Sequence, residues 1–192
     1  MRRGVYWLLG AVLLTGCSQS PDPSHPGETA ETDTAVLSAA EMQAAWWSWT
    51  QAAPVGQDPA DDATGKHCSV GQPDRVWFLA GTYGGHAVRT CEVPRGRSIV
   101  APAVNLISPK REDCETFLAE ARGSVTLDGV AVEVERVEPV NITFDSTDGP
   151  LRAVACGLWA RIPAPDPGEH SVQIKGRSGS LHTSVDYTIS IP

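Results

Sequence analysis

A mainly β fold is what this sequence predicts: a two-sheet β-sandwich with two peripheral helices, stapled by disulfides. Three observations carry that reading. From Ser124 onward, one short run after another alternates apolar with polar residues, the period of a strand with one buried face. Glycine and proline, 18 and 15 of the 192 residues, are spread evenly, as frequent turns between short strands require. Beyond the first 34 residues stand four cysteines, Cys68, Cys91, Cys114 and Cys156, an even number that reads as a disulfide framework in an exported chain.

Export is written at the start. Met1-Arg2-Arg3 is a short positive segment, and Val5 to Leu14 (VYWLLGAVLL) is an apolar run too short to span a bilayer as a mature helix. It closes on Leu14-Thr15-Gly16-Cys17, which resembles the bacterial lipobox. That resemblance implies a signal peptide over residues 1–16, cleavage after Gly16 and acylation, palmitate included, of Cys17. Each buried methylene contributes about 0.8 kcal/mol, so two or three acyl chains anchor firmly where one would not. Ser18 after Cys17 resembles the pattern of lipoproteins sent to an outer membrane. In a cell without one, the outer face of the plasma membrane is expected, and either site is extracytoplasmic. Residues 17–34 are rich in Pro, Ser, Thr and acid, bury almost nothing, and read as a disordered tether. Residues 35–192 remain as a single domain with enough chain for a core. Losing the leader removes Arg2 and Arg3 but no acid, taking the net charge from −8 to −10. That balance argues against nucleic acid as a partner and against docking on anionic lipid.

The elements of the domain follow in order. Ser38-Ala39-Ala40-Glu41 is a capping box, and the helix it starts should reach about Ala53, before Pro54. Met42, Trp46, Trp49 and Ala53 share one face, expected to pack on a sheet. Trp47 lies off that stripe and is the candidate for an aromatic platform under sugar rings. Pro54 to Lys66 is a loop in which Asp58, Asp61 and Asp62 gather. Calcium is the one cofactor such a loop could hold, but the spacing matches no EF-hand, so a solvated acidic turn is expected. Asp145 to Gly149 reads the same way. Arg75–Ala80 and His86–Val93 then read as the two strands of a hairpin turning at Gly81, Gly84 and Gly85. Ser98–Ile107 is strand-like but carries Pro102, which favours an edge or a bulge. Ser108 as N-cap and Pro109 at the first helical position open a second helix. Its inward face is Cys114, Phe117, Leu118 and Ala121, and Gly123 is the expected terminator. Strands follow at Ser124–Leu127 and Val130–Val137, flanking an Asp128-Gly129 turn, then at Val140–Asp145, Leu151–Ile162, His170–Lys175 and Leu181–Ile191.

Four cysteines leave three pairings open. The expected one joins neighbours in chain order, Cys68 with Cys91, where it would close the hairpin at its open end, and Cys114 with Cys156. A four-cysteine zinc site is the rival, without a C-x-x-C knuckle to support it.

The closing segment, PDPGEHSVQIKGRSGSLHTSVDYTISIP, resembles the last hairpin of bacterial immunoglobulin-like sandwiches, so the expected sandwich is of immunoglobulin-like or jelly-roll type. A longer resemblance starts at Trp46. WWSW, D-x-x-T-G-K-x-C at Asp61 to Cys68, Gly71-Gln72, VWFLAGTYGG at Val76 to Gly85, R-T-C-x-V-P at Arg89 to Pro94, and the Pro and Asn of PAVN at Pro102 to Asn105 resemble a family of exported bacterial proteins. It implies that Cys68 and Cys91 are partners, and brings no activity, cofactor or ligand with it.

No reactive constellation stands out. Gly176-Arg177-Ser178-Gly179-Ser180 is close to a nucleophile elbow but has Ser at the second Gly and sits on a hairpin turn. His67, His86, His170 and His182 are scattered, without H-E-x-x-H. Two function classes are therefore carried. The first is a non-enzymatic envelope protein that binds a protein or glycan near Trp47 or the Asp58 to Lys66 loop. The second is a metal-dependent hydrolase built on His67, His86 and the Asp58–Asp62 loop.

Overall fold

The structure, a computed structural model, describes residues 37–192. The leader, Cys17 and the tether lie outside the described residues. Helix α1 (Ala39–Gln51) starts where its sequence requires: Ser38 Oγ accepts from the Glu41 N–H at 3.3 Å, and the Glu41 carboxylate accepts from the Ser38 N–H at 2.9 Å. Its second helix, α2 (Arg111–Glu120), puts Cys114 and Leu118 inward. Neither described helix is long and apolar enough to cross a membrane.

Two sheets form the sandwich. The first holds β1 (Trp77–Phe78), β3 (Ile99–Ser108), β7 (Gly149–Ile162) and β6 (Val134–Ser146), in that spatial order. The second holds β2 (Gly85–Glu92), β9 (Leu181–Ile191), β8 (Gly168–Ser178), β4 (Arg122–Leu127) and β5 (Val130–Val132). One core fills the space between the sheets, around Trp77, Leu79, Ile174, Val185 and Ile189. A second lies under α1, where Trp46 meets Trp159 of β7 edge-on at 5.7 Å between ring centroids. A third, under α2, contains Val104, Leu118 and the Cys114–Cys156 disulfide. The four-stranded sheet is thus covered on both faces, whereas α2 meets the five-stranded sheet at the end of β8, where Ser178 Oγ donates to the Phe117 carbonyl at 2.7 Å.

This layering corrects the expected hairpin. Trp77 and Phe78 are consecutive yet both buried, one toward each core, so this run needs a sheet covered on both faces. The run in β2 buries alternate residues, Ala87, Arg89 and Cys91, and needs a sheet with one solvated face. The two therefore join different sheets, each beside a parallel partner: β1 on β3 and β2 on β9. Gly84 (φ 136°) and Gly85 (φ 87°) serve a crossover between layers rather than a tight turn. Cys68–Cys91 is formed, but it ties the preceding loop to β2 instead of closing a hairpin.

Three smaller expectations shift. α2 starts at Arg111, because Ser108 is still paired in β3; its hydroxyl accepts from the Lys110 N–H at 3.1 Å and donates to the Asp113 carboxylate. Gly123 does not end α2 but lies in β4, where an added Cβ would fall 2.5 Å from Ala103 Cβ. Val134 to Ser146 is one strand, with an irregularity between Val137 and Val140. The Asp128-Gly129 turn forms with both residues at positive φ, 50° and 80°. Pro102 marks a bulge, since Pro102 pairs with Trp159 and Val104 with Leu158, leaving Ala103 over. β1 covers β3 only at Ile99 and Val100, so among the described residues the edge beyond Pro102 has no strand beside it.

Candidate functional site

That uncovered stretch of β3 is one wall of a recess, and a buried arginine assembles the other walls. Arg89 lies on the inward face of β2, 1% exposed. Its guanidinium donates five hydrogen bonds: to the carbonyls of Asp62 (2.6 Å), Ala60 (3.0 Å), Ala80 (2.8 Å) and Gly81 (3.0 Å), and to the Tyr187 hydroxyl (2.9 Å). Carbonyl oxygens, not a carboxylate, satisfy the charge, and bonds to a charged donor contribute about 1.5–3 kcal/mol each. One side chain thereby fixes the acidic loop and the β1–β2 crossover against the sheet. Tyr187 in turn donates to the Ala80 carbonyl at 3.0 Å, and burial pushes its hydroxyl above the ordinary tyrosine range.

The backbone beside Arg89 is equally constrained. Gly65 has φ 86°, and a Cβ there would come within 2.2 Å of the Thr90 carbonyl, so only glycine passes. Gln72 acts as a substitute strand: its amide accepts from the Phe78 N–H and donates to the Phe78 carbonyl, both at 2.8 Å, and donates to the Cys68 carbonyl at 2.7 Å.

The recess has a volume of about 180 Å³. Trp46 and Trp47 of α1 face it, with Tyr83 of the crossover, Pro102 to Leu106 of β3, and Leu181 and Thr183 of β9. Trp46 and Trp47 meet edge to face at 4.9 Å between centroids. Trp46 Nε1 donates to the Leu79 carbonyl at 3.2 Å, but Trp47 Nε1 and Asn105 Nδ2 are buried with no hydrogen-bond partner among the described residues. Thr82 and Thr183 hold each other at 3.0 Å between hydroxyls. Trp47 is only 6% exposed, which corrects the expected sugar platform: it is a wall of a recess, not a flat outer surface. The reason is that the acidic loop and the crossover fold up beside α1, covering the flank that helix periodicity alone leaves open.

Tyr83 closes the outer side. Its hydroxyl donates to Asp58 Oδ2 at 2.7 Å and accepts from Gln51 Nε2 at 3.0 Å. Burial and the neighbouring Asp58 carboxylate both raise its pKa, so it stays neutral.

The acidic loop is built from its own carboxylates. Asp58 Oδ1 accepts from the Ala60 N–H at 2.9 Å. Asp62 accepts from the N–H groups of Thr64 (2.9 Å) and His67 (2.8 Å) and from the Thr64 hydroxyl (3.1 Å). Burial alone would raise the Asp62 pKa, but these N–H groups outweigh it and hold the carboxyl below its ordinary value. Asp58, Asp61, Asp62 and His67 line one shallow depression, whereas His86 lies in a different groove, its Nε2 3.7 Å from Asp186. Among the described residues no group of three His, Cys, Asp or Glu side chains is placed to hold a metal ion.

Arg89, Tyr83 and Asn105 were not among the site residues expected from sequence. Arg89 had a signal, since it shares the parity of Ala87 and Cys91 in an alternating strand. Asn105 is a lone amide in an apolar strand, a weaker signal of the same kind. Tyr83 depends on contacts to two distant segments and had none.

No protein-family model and no curated protein matches the chain. Among solved structures it is similar to a family 123 glycoside hydrolase from Clostridium perfringens, described for glycolipid glycan hydrolysis, at 12% identity and a TM-score of 0.28. The match covers 55% of this chain and only 22% of that one. A similarity of that size carries no argument about chemistry here.

Proposed function

We propose that this chain is a non-enzymatic, extracytoplasmic binding module, lipid-anchored through Cys17, that takes one ring of a glycan into the recess beside Trp47. One observation carries the reading: two buried donors, Trp47 Nε1 and Asn105 Nδ2, lack partners on the lining of a single recess. A buried donor left unpaired costs about 1–3 kcal/mol, so an acceptor belongs there. Size narrows the choice. A cavity of about 150 Å³ holds a benzene molecule, so 180 Å³ suits one six-membered ring. Aromatic and aliphatic walls with a few convergent donors suit a sugar, whose ring has apolar C–H faces and oxygen acceptors at its edge. The two disulfides accord with an oxidising compartment.

The test is the Trp47 indole N–H in an NMR titration of the full-length chain with a panel of neutral and acidic monosaccharides. The signal is assigned by its loss in Trp47→Phe. A saturable shift is expected, weakened about tenfold in Asn105→Leu, since one hydrogen bond is worth about 1 kcal/mol or slightly more. An indole signal that no sugar moves, or one that moves equally in Asn105→Leu, rejects the reading.

A further inference from the structure

We infer that the open face of the five-stranded sheet binds an acidic polysaccharide, through a cationic groove beside the Trp47 recess. The choice of a polysaccharide among polyanions rests on the glycan reading above; the cationic groove itself does not.

Acids outnumber Lys and Arg by 23 to 15 in this chain, yet the residues lining a groove of about 660 Å³ on this sheet include Arg122, Lys175 and Arg177, with His86 and His182, and no Asp or Glu. The register explains the concentration. His86, Ser184, Lys175 and Ser124 are successive cross-strand partners over β2, β9, β8 and β4. Two residues along the strands, His182, Arg177 and Arg122 form a second row, still on the outward face. Adjacent strands lie about 4.8 Å apart, so these cations are crowded. Arg122 and Arg177 are direct cross-strand partners, an arrangement of like charges that works against the sheet. The fold does not relieve it. Arg122 donates to the Ala121 carbonyl at 2.6 Å, but the Lys175 and Arg177 side chains have no hydrogen bond or ion pair among the described residues. Two acids stand near: Asp186 faces His86, and the Glu120 carboxylate lies beside Gly179, just past the end of β8. Glu92 and Glu169 share the face but stand at its other end, both aligned with Ser190.

The groove and the recess adjoin. Thr183 lines both, and the segment from Gly81 to His86 passes from one to the other. A linear glycan with one ring in the recess would lay its neighbouring residues over the cations. Carboxylates recurring along the polymer could meet several of them at once. The groove carries no Phe, Tyr or Trp side chain, so it lacks the broad stacking platform that single-stranded nucleic acid uses.

The experiment measures binding of the full-length chain to polygalacturonate, dextran and polyphosphate at low and at 0.15 M salt. It compares wild type with the exposed-surface variant Lys175→Gln/Arg177→Gln, and follows the Trp47 indole N–H in parallel. Polygalacturonate is expected to bind more tightly than neutral dextran, and less tightly as salt rises. The double variant should lose about 20-fold, roughly fivefold per exposed charge, with a melting temperature no lower than that of the wild type. An unchanged polygalacturonate affinity in the double variant overturns the inference, even if the Trp47 signal responds to sugars. Charge-dependent binding with a silent Trp47 signal leaves the groove in place and removes the recess reading. Equal affinity for polyphosphate makes the groove a general anion surface and overturns the assignment to polysaccharide. A preference for phosphatidylglycerol over phosphatidylcholine nanodiscs that Lys175 and Arg177 carry would assign the face to the membrane, with the same consequence.

Discussion

Residues 58–92 and residues 122–191 contribute to both sheets of one sandwich by different means. The later stretch is a succession of antiparallel ladders, β4 with β5 and β8, β6 with β7, and β8 with β9, in which backbone pairs with backbone and side chains alternate in and out. The earlier stretch contains β2 and only two residues of β1, each beside a parallel partner from elsewhere in the chain. Its loops are held by side chains that reach backbone: Arg89, Gln72, Asp62 and Asp58. A ladder spreads its stability over many equivalent bonds, whereas a side-chain hub concentrates it. The recess stands on the concentrated part, and the difference can be tested by breaking each.

The largest effect is expected at Arg89. Arg89→Met keeps much of the buried volume but leaves the Asp62, Ala60 and Gly81 carbonyls without their donor and takes one bond each from the Ala80 carbonyl and the Tyr187 hydroxyl. Each buried acceptor left unpaired costs about 1–3 kcal/mol, so three of them should cost about 3 kcal/mol or more, which urea unfolding would register as a large drop in midpoint. A charged residue of the ladder region such as Arg152, on the exposed face of β7, should change stability by less than about 0.5 kcal/mol when replaced by Gln. Comparable losses at the two positions would show that the early stretch is not organised by a hub.

The disulfides sharpen the contrast. They close loops of 23 and 42 residues, and chain entropy makes them worth about 3 and 4 kcal/mol, nearly the same. Their local consequences should differ. Replacing Cys114 and Cys156 by Ala unpins α2 from β7 and should leave tryptophan fluorescence close to wild type. Replacing Cys68 and Cys91 frees the loop that Gln72 and Trp49 hold, where Trp49 Nε1 donates to the Val70 carbonyl at 2.8 Å. Similar stability losses with a spectral shift only in the second variant would support the comparison. Equal spectra would refute it.

What could be read in the sequence divides along the same line. Alternation, the Asp128-Gly129 turn and the capping box at Ser38 are local signals, and the strands of the later stretch and the start of α1 follow from them. The pairing of Cys114 with Cys156, expected from chain order among three possibilities, forms, and the inward helix face of Cys114 suits it. The early stretch misled because its glycines and its two apolar runs satisfy every local criterion for a hairpin. Only the burial of Trp77 and Phe78 on opposite faces, a property of layers that sequence neighbours do not reveal, sends them to different sheets. The same holds at the site. Trp47 was visible as a tryptophan off the helix stripe, but the residues that make it a wall come from the crossover, β3 and β9. Asp58, Asp61 and Asp62 were visible as a cluster of acid, but the hydrogen bonds from nearby backbone to Asp58 and Asp62, which turn those carboxylates into loop supports, depend on the fold.

The smallest effect contrasts a carboxylate in each region through pH. The N–H groups around Asp62 hold its folded pKa below the ordinary 3.8, so its contribution is complete above that value and is lost as pH falls through the lowered one. Asp128, in the later stretch, is lowered chiefly by its hydrogen bond to His170, whose Nδ1 lies 2.7 Å from Asp128 Oδ2. The same bond, helped by the Asp166 carbonyl on Nε2, raises His170 above its ordinary 6.5. The histidine's contribution is complete below 6.5 and is lost as pH rises through the raised value, so this pair acts fully only between about pH 4 and 6.5. Unfolding midpoints across pH should therefore separate the two regions. Asp62→Asn should flatten the acid limb alone, and Trp46 and Trp49 should report the change. His170→Gln should flatten the limb above pH 6.5, by a small amount because Asp128 is open to solvent and the pair is screened by salt. Asp128→Asn should act on both limbs, since it removes the partner that couples them, and a variant that moved only the acid limb would uncouple His170 from that turn.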